Sequence, residues 1–315
     1  MMMSTRSGNK YLKTTAGAGL LLVALLAAIA VPASECEPLP TVEVSAPASA
    51  FTRGLVWRLT SPSGGTSVLM GTMHIGDPRV QPIADAAAEQ FGDASVFAME
   101  VVLDANAMLQ LQTAMFFPDN ENLRTLIGDA LFERTVKLMS NYGLPPGLLE
   151  RMKPWAVFVT LSLPPGVPGL PMDMQLMMQA QSTGMQIRGI ETVSEQIGLF
   201  ESIAVGDQIK ILTETICHYE LLQQEIEQLI QRYSEQNLTA IYELSLRHVS
   251  ESRESFMDAL LWQRNEKMYA RLREDLEDGG YFIAVGALHL IGERGLLELF
   301  ADAGFTVEPI SQADD

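Results

Sequence analysis

Two segments, Val68-Leu69-Met70-Gly71-Thr72-Met73-His74-Ile75-Gly76-Asp77 and Ile283-Ala284-Val285-Gly286-Ala287-Leu288-His289-Leu290-Ile291-Gly292-Glu293, follow one pattern. Each is an apolar strand running into G-x-x-H, then apolar residues, glycine and an acid. With four histidines and 24 glycines in 315 residues, this double occurrence is improbable by chance and reads as an internal repeat. A strand that ends in Gly and then His delivers an imidazole at the carboxyl end of a sheet strand, where α/β proteins hold their ligands. Glycine there lets the backbone turn sharply or approach a ligand closely. A lone GxxH is most simply a satisfied polar residue at a strand end; the pair points to a shared site.

Outward from these segments the chain reads as α/β, with two related β/α halves, each carrying one strand-GxxH motif, and a large helical insertion between them. Residues 55–59 and 67–70 form a hairpin around Ser61-Pro62-Ser63-Gly64-Gly65. A helix over 83–91 and a buried strand over 95–101 follow. Helices are predicted over 106–115, 123–127, 130–142, 145–152 and 155–162. Four prolines and two glycines in 163–171 exclude helix or central strand there. Asp173 is placed to cap a helix over 174–183, and 186–190 reads as a strand. The apolar positions Ile209, Leu212, Ile216, Tyr219, Leu222, Ile226, Ile230 and Tyr233 predict one long amphipathic helix. Helices over 238–248 and 252–277, a strand over 281–285, a helix over 293–303 and a strand over 305–310 complete the chain.

The formal net charge of −18 disfavours nucleic acid and anionic membrane surfaces as partners, and no local basic patch overrides it. Arg6, Lys10 and Lys13 precede an apolar run over 16–31 and then Pro32-Ala33, the layout of a secretory signal over residues 1–33 cleaved after Ala33. The expected location is therefore periplasmic or secreted, with no stable membrane insertion after cleavage; an uncleaved N-terminal anchor is the rival reading. Glu35 spoils a lipobox before Cys36. Residues 34–52 read as a flexible leader and 53–312 as the folded domain. Cys36 and Cys217 are the only cysteines; they are free to pair or to stay apart in an oxidising compartment, and neither has the neighbours of a catalytic thiol.

If His74 and His289 point into one cleft, two imidazoles and a carboxylate make a site for a divalent transition metal. Glu100 is the carboxylate candidate, because it ends the apolar run Ser95-Val96-Phe97-Ala98-Met99, where an ionised side chain is costly unless paired or ligating. The bland alternative is a solvated glutamate at a strand end.

The chain resembles the TraB/GumN family, related to the TIKI metalloproteases and more distantly to the erythromycin-esterase and ChaN-like proteins. The resemblance is carried by Gly71-Thr72-Met73-His74-Ile75-Gly76, Glu100, Lys153-Pro154-Trp155, Asp173, Gly189-Ile190-Glu191-Thr192 with Gln196, Arg264-Asn265, and Val285-Gly286-Ala287-Leu288-His289-Leu290-Ile291-Gly292. It implies an α/β fold and a metal-dependent hydrolase of peptidase or amidase type. His74, His289 and Glu100 would hold Mn, Co or Zn. Either Glu191 or Glu100 would accept a water proton, Arg264 would stabilise the oxyanion, and Asp173, Asn265 and Gln196 would bind a peptide or small-molecule substrate. The proline- and glycine-rich approach to Asp173 departs from the family pattern and leaves the substrate open.

Against Arg264 stands its company of Asp258, Glu266 and Glu274, which reads as a solvated face. Met172, Met174, Met177 and Met178 raise Cu(I) binding, though methionine more often fills gaps. His218 and His248 read as surface residues without partners, and Pro154-Trp155 as a packing corner. The rival to a hydrolase is a non-catalytic periplasmic binding protein for a peptide, metal or haem-like ligand.

Overall fold

The computed structural model describes residues 36–41, 44, 47, 49–118, 121–166, 169–249 and 255–310. The expected signal segment and its cleavage point lie outside the described residues. In chain order the main elements are β1 (Val56–Thr60), β2 (Thr66–Thr72), α1 (Gln81–Ala88), β3 (Val96–Met99), α2 (Ala105–Ala114), α3 (Leu123–Ile127), α4 (Asp129–Met139), α5 (Pro146–Leu149), α6 (Pro154–Leu161), α7 (Met172–Ser182) and β4 (Gln186–Gly189). Then come α8 (Val193–Ser202), α9 (Val205–Cys217), α10 (Tyr219–Ser234), α11 (Leu238–Leu246), a π-helical turn (Asp258–Trp262) leading into α12 (Gln263–Leu272), β5 (Tyr281–Gly286), α13 (Leu296–Asp302) and β6 (Thr306–Pro309).

The strands form one six-stranded sheet in the order β4-β3-β5-β2-β1-β6. β1 and β2 pair antiparallel as the predicted hairpin, with Val56 opposite Met70, and β6 closes the edge antiparallel to β1. β4, β3, β5 and β2 are parallel neighbours, which fits the near-continuous apolar runs of β3 and β5. Phe97 and Phe282 stack side by side on adjacent strands with centroids 5.8 Å apart, and Phe91 packs edge-on against both. A second core, built around Trp155, Phe132, Met139 and Leu212, holds α3 to α6 and α9 together. This is the helical insertion.

Two helices depart from expectation. The long helix is interrupted at His218, whose φ and ψ of −112° and 24° leave the helical region, so α9 and α10 are separate although their apolar positions stay in phase. Cys217, the last residue of α9, is bridged to Cys36, and His218 Nε2 lies 2.8 Å from the Glu37 carbonyl. α8 was not expected at all. Its signal is nonetheless present: Thr192 and Glu195 form a complete capping box, a short motif that outweighs the weak periodicity of the segment.

Candidate active site

Strand order positions the chemistry. β4, β3, β5 and β2 lie side by side and point the same way, so their carboxyl ends present Glu191, Glu100, Gly286 with His289, and His74 along one rim. Glu191 donates its N–H to the Glu100 carbonyl at 2.8 Å, extending the strand pairing into the site. The two histidines meet because β2 and β5 are adjacent strands of a single sheet, with Thr72 opposite Gly286.

Glu100 is the hub. Its Oε1 accepts the Gly286 N–H at 2.7 Å and stands 3.6 Å from His74 Nε2 and 3.7 Å from His289 Nε2. Its Oε2 pairs with Arg264 Nη2 and lies 3.4 Å from Gln196 Nε2. Glu191 receives Arg264 Nε at 3.0 Å and Nη2 at 2.6 Å, and Gln196 Nε2 at 3.3 Å. The reading of Glu100 as a solvated glutamate and of Arg264 as a surface residue are both overturned: each is buried. Arg264 is turned inward from α12, and its Nη1 donates to the Leu260 carbonyl of the π-helical turn at 3.1 Å. Such turns are frequent at functional sites.

His289 is set by Asn265. The Asn265 amide nitrogen donates to the carbonyls of Arg294 (2.8 Å) and His289 (3.3 Å), which leaves Oδ1 to accept from His289 Nδ1 at 2.5 Å. The His289 Nε2 lone pair therefore faces Glu100. Burial pushes this imidazole down to about 4, so it is neutral. Asn265, expected from the sequence to bind substrate, is fully buried with its polar atoms committed to His289 and Arg294.

On the other side, His74 Nδ1 is 3.2 Å from Asp173 Oδ1. Burial works against charge on His74, but hydrogen bonds and charge from Asp173 and Glu100 raise it to about 10. Burial likewise works to raise Glu100, yet His289, His74 and Arg264 hold its carboxyl well below the usual range. Asp173 is not the helix cap that was expected. Pro171 holds that position, Asp173 sits in the first turn of α7, and the Met172 N–H donates to Ile75 of the GxxH turn. Asp173 Oδ1 is buried with the His74 imidazole as its polar neighbour, and the buried Thr72 Oγ1, close to His74 in sequence, has no hydrogen-bond partner.

The donor types gathered here, two imidazoles and an ionised carboxylate, are those that divalent transition metals take. The neutral, tautomer-fixed His289 turns its lone pair toward the Glu100 carboxylate, whose charge is offset by Arg264 and His74 and would be offset further by a divalent cation between the donors. The separations of 3.6 and 3.7 Å approach the edge of about 3.4 Å that a tetrahedron with bonds near 2.1 Å requires. A methyl group built on Gly286 would lie 3.3 Å from Glu100 Oε1, 3.5 Å from His289 Cδ2 and 3.7 Å from His74 Nε2, so the three donors surround one small space. As the side chains stand, no group of three or more His, Cys, Asp or Glu among the described residues is arranged to hold a metal ion.

The remaining sequence signals fall outside this centre. Met172 is buried and takes a contact from the Tyr233 hydroxyl at 3.0 Å, whereas Met178 is exposed; the four methionines do not converge. His218 and His248 do have partners. His248 pairs with Glu225 at 3.0 Å and meets the Pro40 carbonyl at 2.9 Å, so both histidines hold the segment around Cys36. Trp155 is a packing residue, stacked on Phe200 and bonded to Glu201. Sequence reasoning missed Tyr233, which reaches the Gly71 carbonyl at 2.7 Å; on an amphipathic face nothing marks it off from its neighbours.

A model of the TraB/PrgY/gumN family matches residues 55–309. Metalloprotease TIKI1 of Homo sapiens is 25% identical over a match that takes in 77% of this chain and 59% of that protein. Metalloprotease TIKI2 of Danio rerio is also 25% identical, covering 77% of this chain and 58% of its own. The chain thus spans less than two thirds of these relatives' length. The uncharacterized protein YbaP of Shigella flexneri is 23% identical, with 76% of this chain and 90% of YbaP covered. No solved structure matches. Among the described residues no helix is long and apolar enough to cross a membrane. The match over residues 55–309, carrying both GxxH turns and the carboxylates between them, means that the chain belongs to the TraB/PrgY/gumN family.

Proposed function

We propose that this chain is an exported metal-dependent hydrolase of amide bonds, peptidase-like in its substrate. The carrying observation is the His289 Nε2 lone pair and the His74 Nε2 directed at one oxygen of an ionised, buried Glu100. His74, His289 and Glu100 would hold the metal; two imidazoles and a carboxylate suit Zn, Co or Mn. The bound ion would supply a Lewis acid that activates water and polarises the scissile carbonyl.

The chain's own residues have distinct parts. Asn265 fixes the tautomer of His289, and Asp173 orients His74. Arg264 spans Glu100 and Glu191 and helps to hold the Glu100 carboxyl ionised. Glu191 is the proton acceptor for an attacking water, and Arg264 Nη1, with one N–H beyond its bond to Leu260, faces the developing oxyanion. Gln196 bridges the two carboxylates and stands at the substrate side. Export is supported by the basic-then-apolar pattern of residues 1–33 and by the Cys36–Cys217 bridge, since disulfides persist in oxidising compartments.

Elemental mass spectrometry of protein purified without chelator tests the centre. We expect near-stoichiometric transition metal, lost in both His74→Ala and His289→Ala; no metal in the parent after reconstitution with Mn, Co or Zn would sink the reading. The binding-protein alternative draws on the Glu191 carboxylate being locked by Arg264. Glu191→Ala separates the two: a hydrolase keeps its metal and loses turnover, whereas a binding protein keeps its ligand affinity.

A further inference from the structure

Two cavities, each of about 280 Å³, adjoin the centre; both have His74 and Glu100 in their walls and share no other lining residue. One lies toward α10, α11 and the π-helical turn and is walled by Leu229, Ile241, Leu260, Leu261 and Leu288. The other lies toward α2, α7 and α8 and is walled by Leu103, Leu111, Met174, Val193, Ile197 and Phe200. Among the described lining residues, the only charged side chains in either wall are those of the centre itself: His74, Glu100, Arg264 and His289 in the first, His74, Glu100 and Asp173 in the second.

An apolar wall gives nothing to an ionic side chain but the loss of its hydration, and rewards burial of aliphatic or aromatic surface. Two such walls meeting at one reacting centre fit a chain that runs through the centre and buries a side chain on each side of it. We infer that the substrate is an extended peptide with a large apolar residue on both sides of the reacting bond, one seated against Leu229 and Leu260, the other against Ile197 and Phe200. The inference rests on the hydrolase reading for the position of the bond, but the two apolar seats stand without it. The acidic net charge of −18 adds a penalty against acidic peptides.

The test uses reduced-amide peptide isosteres, which cannot be cleaved, carrying Leu/Leu, Leu/Glu, Glu/Leu, Ser/Leu and Leu/Ser about the modified bond. Binding is read by calorimetry on the metal-loaded full protein. Leu/Leu is expected to bind at least tenfold more tightly than each of the other four, the usual size of discrimination for a filled apolar pocket. Leu229→Trp should weaken recognition of the Leu on one side only and Ile197→Trp on the other only. Leu229→Ala and Ile197→Ala, which keep the fold under less strain, should instead shift preference on the same sides toward Phe.

Failures are distinguishable. Equal binding of a Glu or Ser isostere overturns the two-sided apolar seat, whatever the hydrolytic activity. Selective Leu/Leu binding by a protein that cleaves no matching peptide leaves the seats standing and overturns the hydrolase reading. Hydrolysis of long-chain acyl esters with no isostere binding overturns the peptide assignment.

Discussion

The two glycines of the repeated motif look alike in sequence and do different work. A methyl group at Gly71 would lie 2.7 Å from Leu290 Cδ1 and 3.0 Å from Ala287 Cα, so this glycine lets β2 pack against the turn that follows β5. Gly286 instead borders the space among Glu100, His289 and His74, and its φ of −54° suits any residue. Gly286→Ala is therefore expected to fold with a melting temperature within a few degrees of the parent and to lose metal occupancy; Gly71→Ala should cost about 1–3 kcal/mol through overpacking. Parallel melts and elemental analysis of the two variants check this, and equal metal content in Gly286→Ala would argue against a centre at this spot. Asn265 belongs to the same scale. Asn265→Ala removes the acceptor that fixes His289 and the amide that donates to the His289 and Arg294 carbonyls. The expected result is a 10- to 100-fold loss of metal affinity, in proportion to other outer-shell partners, read by competition with a chromogenic chelator. Of the site, His74, His289 and Glu100 were legible because strand ends, glycines and a carboxylate in an apolar run are local signals. The inward turn of Arg264 and the burial of Asn265 were not, since their charged neighbours on α12 read as a solvated face and only the tertiary fold shows two carboxylates waiting for a guanidinium.

At the level of elements, α8 shows how a cap carries more than helix formation. Glu195 closes the capping box on Thr192 and also pairs with Arg271 of α12, whose Nη1 donates to the Ile190 carbonyl at 2.8 Å. The pair thus ties the start of α8 and the segment bearing Glu191 to the helix bearing Arg264. Arg271, with help from the Thr192 N–H, lowers the Glu195 carboxyl to about 2. A depressed carboxylate contributes stability that is present above its unfolded value near 4.5 and is lost as pH falls through the folded value. Urea melts should therefore show the parent losing stability between about pH 4.5 and 2 more steeply than Glu195→Gln, which has no such proton to take up. An identical acid limb in both proteins would mean that the exposed pair is screened by solvent. Elements marked by strong alternation or by Gly and Pro punctuation were legible: the hairpin, β3, β5 and α3 stand within a residue or two of the ranges read from sequence. The break at His218 was not, because α9 and α10 keep their apolar positions in helical phase across it.

The whole molecule joins a parallel sheet that aligns the chemistry, a helical insertion with its own core, and a leading segment fastened to that insertion. The fastening is chemical. Cys36 is bonded to Cys217 across 181 positions, the Cα atoms 5.5 Å apart, and Glu37 and Pro40 present carbonyls to His218 and His248. Without the bridge, the polar contacts of residues 36–41 among the described residues are these two carbonyl contacts and that of Arg134 Nη1 to the Cys36 sulfur, and ordering a leader against such small contacts is opposed by chain entropy. The bridge also closes a long loop in the unfolded chain, which in the entropic account contributes about 2–4 kcal/mol to stability. Reduction, or a Cys36→Ser, Cys217→Ser double variant, should lower the urea midpoint accordingly. It should also raise hydrogen exchange at residues 36–41 and around the α9–α10 junction ahead of the sheet. The centre is built from strand ends that share no element with the bridge, so metal content is expected to survive reduction. Coincident loss of metal and bridge would instead mean that the helical insertion and the sheet rim open as one cooperative unit.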